Sequence, residues 1–255
     1  ILHFHNKGVS LMQGRKFDNL LYRILFKNSK TILLSKELYF DIKKYVKKSD
    51  VYICPNGIPK LNFSFEESKN NKIPQILFLS NLIKSKGVYI LLKSLKILKD
   101  QNIKFHCNLV GNEGDISEAE LSKKLLKLDL KNCVSFLGPK YSYEKQEVFL
   151  SSDIFVFPTF YHNECFPLVL LEAMMYGLPV ISTNEGAISD IVSTNLTGYI
   201  INSNQANELA IKIKTLIGNN DKMKEMAKNG LNKFNNNFTL QIFEKKLFDI
   251  LNKCL

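Results

Sequence analysis

Two glutamates eight positions apart bracket the stretch of this chain best equipped for chemistry, Glu164-Cys165-Phe166-Pro167-Leu168-Val169-Leu170-Leu171-Glu172-Ala173-Met174. Pro167 stands where a helix can begin, because its missing N–H would have no partner in the first turn anyway. Glu164 then lies in the loop outside the helix, and Glu172 sits about 7–8 Å further along the axis at roughly 1.5 Å per residue. The amides of Phe166, Leu168 and Val169 point out of the helix start. An anion docked there gains ~0.3–1 kcal/mol from the helix dipole, besides its hydrogen bonds. Two carboxylates flanking an anion hole suit a ligand with hydroxyls on either side of a phosphate, which is the layout of a nucleoside diphosphate sugar. Spacing alone divides evenly between that reading and a plainer one, a solvated loop acid and a surface helix residue, since Glu pairs are common and the dipole effect is small.

The elements around this stretch predict an α/β protein. Residues 1–5 read as a strand and 6–16 as the loop after it. Residues 17–26 carry Phe17, Leu20, Leu21, Ile24 and Leu25 at amphipathic-helix spacing. A strand at 31–34, a helix at 37–46 and a strand at 51–53 lead to the turn Pro55-Asn56-Gly57-Ile58-Pro59. The polar run over 60–72 marks a linker. Beyond it, apolar strands at 76–80, 105–110, 134–137, 154–157 and 179–182 alternate with helices at 88–99, 117–128, 144–150 and 167–176. Ser117, with Glu120 three residues on, is the expected cap of the second of these helices. Helices at 205–217, 221–234 and 240–251 close the chain. Short apolar strands separated by helices mean parallel strands covered on both faces. Ligands of such sheets bind beyond the carboxyl ends of the strands, so residues 81–87, 111–115, 138–143 and 158–166 are where a site is expected.

Composition narrows the classes. The 255 residues are 45% hydrophobic and 23% charged, ordinary globular usage that excludes collagen, coiled coil and wholesale disorder. No apolar run approaches the roughly 18 residues of a membrane span. Basic residues outnumber acidic ones 35 to 24, for a net charge of +11, but only Arg15 and Arg23 are arginines. Nucleic-acid readers lean on arginine for bidentate contacts, so a nucleic-acid partner is not expected. A lysine surface fits diffuse attraction to anionic substrates or to a bilayer face. Five cysteines without a CxxC pair fit neither a disulfide framework nor a zinc site. They read as buried apolar groups in a reducing compartment. The chain opens Ile1-Leu2-His3-Phe4-His5, a strand already under way, so a fragment lacking its upstream part is expected.

The ordered motifs over residues 76–200 resemble the donor-binding domain of retaining glycosyltransferases of the GT-B fold, family 4. They are Phe157-Pro158, the Glu164-to-Glu172 pair, Glu172-Ala173-Met174, Gly177-Leu178-Pro179-Val180-Ile181, the segment from Asn184 to Val192, and Thr197-Gly198-Tyr199-Ile200. The resemblance implies that Glu164 lies at the donor sugar and that Glu172 binds the ribose hydroxyls. It implies that amides around Cys165, Phe166, Leu168 and Val169 hold sugar and diphosphate. Pro167 stands where the family usually has Gly, which removes one amide donor. The run from Phe78 to Gly87 resembles the family's diphosphate loop, with Lys86 at the family lysine and Asn81 replacing the usual Arg. Lys84 reads equally as compensation for that arginine and as a solvated loop lysine. Gly111-Asn112-Glu113-Gly114 resembles the turn near the nucleotide, and Gly138 and Pro139 lie where the loop around the base belongs. His5 resembles the histidine that faces the sugar from the first domain, with His3 second. Strand histidines in general are more often structural.

On this resemblance the fold is GT-B, two doubly wound Rossmann-like domains, the first truncated. Residues 1–60 are the rest of an acceptor-side domain, 61–74 a linker, 75–235 a donor-binding domain, and 236–255 a helix packing back on the first domain. The expected reaction moves a sugar from a nucleotide-diphosphate donor to a glycan or lipid-linked glycan with retention of configuration. No metal or other cofactor is expected. The expected location is the cytoplasm, with peripheral contact at the inner membrane face. The truncated chain is expected to bind donor weakly and not to turn over. The rival readings are a nucleotide-sugar-binding module without turnover, which Asn81 favours, and an epimerase or phosphorylase on the same architecture. A dinucleotide oxidoreductase fails because no strand is followed by GxGxxG and an acid about 20 residues on.

Overall fold

The computed structural model of the chain describes residues 1–4, 9, 16–61 and 71–254. Its strands form two parallel sheets. In the smaller, β1 (Leu2–Phe4), β2 (Thr31–Leu33) and β3 (Val51–Ile53) pair in that order, Leu2 opposite Thr31 and Thr31 opposite Val51. Helix α1 (Lys16–Phe26) joins β1 to β2.

The larger unit alternates strand and helix, as the apolar pattern predicts: β4 (Gln75–Leu79), α2 (Val88–Asp100), β5 (His106–Val110), α3 (Glu118–Lys127), β6 (Val134–Phe136), α4 (Ser142–Leu150), β7 (Ile154–Phe157), α5 (Leu168–Met175), β8 (Val180–Thr183), α6 (Ile188–Ile191) and β9 (Gly198–Ile201). The six strands lie in the order β6-β5-β4-β7-β8-β9, every pairing parallel. The first strand of the unit therefore sits in the middle. The chain builds outward on one side, returns, and builds outward on the other. The reversal falls between β4 and β7, the place in such a sheet where ligands bind.

Local chemistry explains the elements. All four residues of β7, Ile154-Phe155-Val156-Phe157, are buried, as a strand covered on both faces requires. On α2 the buried positions Leu91, Leu92, Leu95 and Leu98 recur at helical spacing. Ser117 caps α3 as expected, its side chain accepting from the Glu120 N–H at 3.2 Å. Cys54, Cys107 and Cys165 are buried, and all five cysteines are free thiols.

Three elements depart from the sequence expectation. Residues 37–46 do not form an α-helix; a 3-10 turn, Lys36–Asp41, stands there, capped by Ser35. Leu38 and Asp41, three apart, are its buried residues, and a three-residue period places them on one side. Asp41 also accepts the Val9 N–H at 3.0 Å, a tertiary bond invisible in local sequence. Strand β9 was not anticipated as an element, being four residues long and opening on a glycine. The amphipathic stripe of α1 predicts a helix but not what it faces: Phe17, Leu20, Ile24 and Leu25 are exposed, while Phe26 is buried and stacks on Phe4.

After β9 come α7 (Ala206–Ile217), α8 (Asn220–Asn237) and α9 (Leu240–Cys254). The start of α9 is tied to the smaller unit by Ile58 N–H to Phe238 O at 3.0 Å and Leu240 N–H to Ile58 O at 2.9 Å. Its apolar side, Phe243, Leu247 and Ile250, packs against Ile32 and Cys54 of the small sheet. The linker assigned to 61–74 falls largely on residues 62–70, which lie outside the described residues.

Candidate functional site

At the switch point between β4 and β7 the loops after the two strands are joined by backbone contacts. The Phe160 N–H donates to Ser85 O at 2.7 Å, and Thr159 Oγ1 donates to the same carbonyl at 3.3 Å. Gly87 adopts φ +89° where a Cβ would lie 2.1 Å from the Pro158 carbonyl oxygen. Only glycine lets the loop after β4 press this closely on the loop after β7. The loop after β8 joins them from the other side. Ala187 N–H donates to Cys165 O at 2.8 Å, and a Cβ on Gly186, at φ +56°, would lie 2.3 Å from Glu164 O.

On this frame Lys86 and Glu164, 78 positions apart, meet with Nζ 2.7 Å from Oε2. Their side chains are 16% and 9% exposed, so the pair is largely withdrawn from water. Thr159 Oγ1 lies 3.4 Å from the same carboxylate oxygen, the alternative acceptor for its one O–H. Lys86 Nζ also lies 4.4 Å from the centre of the Tyr161 ring, a cation–π contact. Nearly buried charges need such partners, since an isolated one would be costly to desolvate.

Beside the pair, α5 begins at Leu168. Pro167 is its N-cap rather than its first helical residue, and no side chain caps the helix. The first-turn amides of Leu168 and Val169 are thus left without a capping side chain close to Glu164, and Leu168 is 44% exposed there. Phe166 precedes the helix instead of opening it, and its ring packs edge-on to Phe238. Cys165 is buried, with its carbonyl held by Ala187.

Glu172 lies further along α5, half-buried. Its Oε1 accepts from Lys145 Nζ of α4 at 2.7 Å. Tyr176, one turn on, has its hydroxyl pushed up to about 12, first by burial and then by the Glu172 charge. Gly111 and Gly138 meet at the carboxyl ends of β5 and β6, with Gly111 N–H donating to Gly138 O at 3.0 Å. A Cβ on Gly138 would meet nothing within 4 Å, so open space lies over that glycine. Asn112 Nδ2 reaches the Tyr141 hydroxyl at 3.3 Å, tying this turn to the approach to α4.

The sequence-derived residues thus divide. Lys86, Glu164, Cys165, Phe166, Leu168 and Val169 gather at the switch point, and Glu172, Gly111, Asn112 and Gly138 occupy elements and loops of the same sheet. Asn81 is exposed just beyond β4, and Lys84, also exposed, is held through its backbone N–H, which donates to Asp115 at 2.6 Å. His5 lies outside the described residues, while His3 is on β1 opposite Ile32. Sequence reasoning missed Lys145, Thr159 and Tyr161. The last two lie in the 158–166 segment that strand order marks as site-forming; Lys145 carries no local signal. Among the described residues no group of three or more His, Cys, Asp or Glu converges, and no helix is long and apolar enough to cross a membrane.

Solved structures of the same shape include a glycosyltransferase from Rickettsia africae, at TM-score 0.81 and 20% identity, with 98% of this chain and 69% of that one covered. Anabaena Alr3699/HepE in complex with UDP superposes at TM-score 0.82 and 21% identity, covering 98% and 71%. At such identities the likeness shows the fold, the GT-B arrangement of Rossmann-like units. In sequence, the putative colanic acid biosynthesis glycosyltransferase WcaL of Escherichia coli (strain K12) is 23% identical over 97% of this chain and 63% of its own length. The amylovoran biosynthesis glycosyltransferase AmsK of Erwinia amylovora is 30% identical over 59% of this chain and 37% of its own length. The chain therefore spans less than two thirds of these relatives. The family described as Glycosyl transferases group 1 matches residues 59–233, more than half of the chain and nearly all of the six-stranded unit, and the chain belongs to that family.

Proposed function

We propose that the chain is part of a retaining glycosyltransferase of family 4 that moves a sugar from a nucleoside diphosphate donor to a glycan or lipid-linked glycan during polysaccharide assembly. The observation that carries this reading is the Lys86–Glu164 contact at the switch point, beside the uncapped start of α5. A lysine ammonium has three N–H donors. It can hold Glu164 and a phosphate oxygen together, which links the sugar end of a donor to its leaving group. As the glycosidic bond stretches, charge grows on the diphosphate, and Lys86 and the amides of Leu168 and Val169 stabilise it. The sugar passes through an oxocarbenium-like state, and the acceptor hydroxyl attacks from the face the diphosphate leaves, giving its proton to the departing diphosphate oxygen. These cationic and amide groups supply the stabilisation without a metal.

In this reading residues 75–235 form the donor domain, 1–60 belong to the acceptor-side domain, and His5 faces the sugar from there. WcaL and AmsK, relatives named for polysaccharide biosynthesis, support the pathway class, and the HepE complex with UDP supports a uridine nucleotide as the first donor to try. A cytoplasmic location with peripheral membrane contact belongs to the same reading. Its support is the exposed apolar stripe of α1, Phe17, Leu20 and Ile24, beside exposed Arg23 and Lys27.

The test is a thermal-shift panel of UDP, GDP, ADP and their common sugars on the chain and on Glu172→Ala. A nucleotide at 100 times its Kd adds roughly 2.7 kcal/mol, a rise of several degrees. The expected result is one base that shifts the wild type and not the variant. With the full-length protein, sugar transfer to an acceptor should be lost in Glu164→Ala, and the product should keep the donor's anomeric configuration. Absence of any shift in both the chain and the full-length protein overturns the proposal.

A further inference from the structure

We infer that Lys145 is a positioning residue for Glu172 and sets how strictly the site demands a ribose. The inference rests on the donor reading above and adds to it a residue that the motif pattern does not contain. Lys145 stands on α4 and Glu172 on α5, 27 positions apart, and Nζ lies 2.7 Å from Oε1. Their side chains are 29% and 25% exposed, so a ligand in solution can reach the carboxylate.

The geometry divides the two oxygens of Glu172 between two tasks. Oε1 accepts from Lys145, and among the described residues no donor reaches Oε2. A carboxylate on a flexible stem would otherwise rotate among several orientations. Anchoring one oxygen leaves the other aimed in one direction, ready for a hydroxyl. Lys145 is itself held: α4 follows Gly138 and Tyr141, and the Lys145 N–H donates to Tyr141 O at 3.3 Å. Tyr141 in turn meets Asn112 at the end of β5. Lys145 thus connects the loop side of the nucleotide cleft to the acid on α5. A hydroxyl bound to a fixed, charged acceptor discriminates better than one bound to a mobile acceptor, because an analogue without it leaves that acceptor unpaired.

The experiment measures Kd for UDP and 2′-deoxy-UDP by calorimetry, with GDP and ADP and their deoxy forms in parallel, on wild type, Lys145→Met, Lys145→Arg and Glu172→Gln. The ribo form should bind wild type roughly 10- to 100-fold more tightly than the deoxy form, the range for one hydrogen bond to a charged group. Lys145→Met should cut that ratio severalfold while its melting curve stays close to wild type, and Lys145→Arg should restore it. Glu172→Gln should bring the ratio near one. A ratio unchanged in Lys145→Met overturns the inference and leaves the donor reading standing. A ratio unchanged in Glu172→Gln removes the ribose role from Glu172, and the inference falls with it. Failure of wild type to bind any of these nucleotides, in the chain and in the full-length protein, overturns the donor reading itself.

Discussion

The two lysine–glutamate pairs at the carboxyl end of the six-stranded sheet are equal in length, 2.7 Å each, and unequal in surroundings. Lys86–Glu164 lies between loops pressed together at two glycines, with Tyr161 and Thr159 against it. Lys145–Glu172 spans two helices and is two to three times as exposed. The difference teaches that distance does not measure what an ion pair contributes. In the inner pair, each charge depends on the other because water is largely absent. In the more exposed pair, water replaces either partner at little cost, so the pair adds orientation rather than stability.

The strongest way to break the inner pair is to remove one charge. Lys86→Met should destabilise by up to about 3–5 kcal/mol, the cost of leaving a buried carboxylate without its cation. Chemical denaturation would read this as a lowered midpoint with unchanged slope, and Glu164→Gln should recover much of it by keeping a hydrogen-bonding side chain. Breaking the frame comes next. Gly186→Ala forces a Cβ against the Glu164 carbonyl at a left-handed backbone position, and about 1–3 kcal/mol should be lost. Nucleotide binding should weaken in that variant too, because the strain is relieved only by moving Glu164 or Cys165.

In the more exposed pair, Lys145→Met should change stability by roughly 0–1 kcal/mol, seen as a small Tm shift that shrinks further in high salt. A loss as large as that of Lys86→Met would erase the distinction between the pairs. A separate effect, confined to alkaline solution, is a pH dependence beside Glu172. The Tyr176 hydroxyl is raised to about 12 from an ordinary 10. Between those values the unfolded chain releases a proton that the folded chain keeps, so stability falls as pH rises from 10 towards 12. Thermal melts across that range should decline less steeply in Tyr176→Phe than in wild type.

Much of the frame is legible in residue order because it follows from local rules. A four-residue apolar run closed by Pro158, such as 154–157, reads as a strand covered on both faces, and capping at Ser117 is a contact between residues three apart. The expected α-helix over 37–46 fails for the opposite reason. Its outcome is set by burial of Leu38 and Asp41 and by the bond from Val9, 32 positions away from Asp41. The stripe on α1 likewise gives the period of a helix and not its partner, since periodicity records which residues share a side and not which way that side faces.

By itself the sequence determined the alternation of strand and helix, the parallel larger sheet, and the spacing that puts Glu164 before α5 and Glu172 within it. These depend on side-chain pattern and on chain geometry over a few residues. Tertiary structure alone decided that Glu164 meets Lys86, that Lys145 holds Glu172, and that Gly87 and Gly186 are where neighbouring loops touch. Those contacts join residues 22 to 78 positions apart. They exist because the strand order reverses between β4 and β7 and brings the ends of distant segments to the same edge of the sheet, an outcome of packing the whole sheet rather than of any local preference.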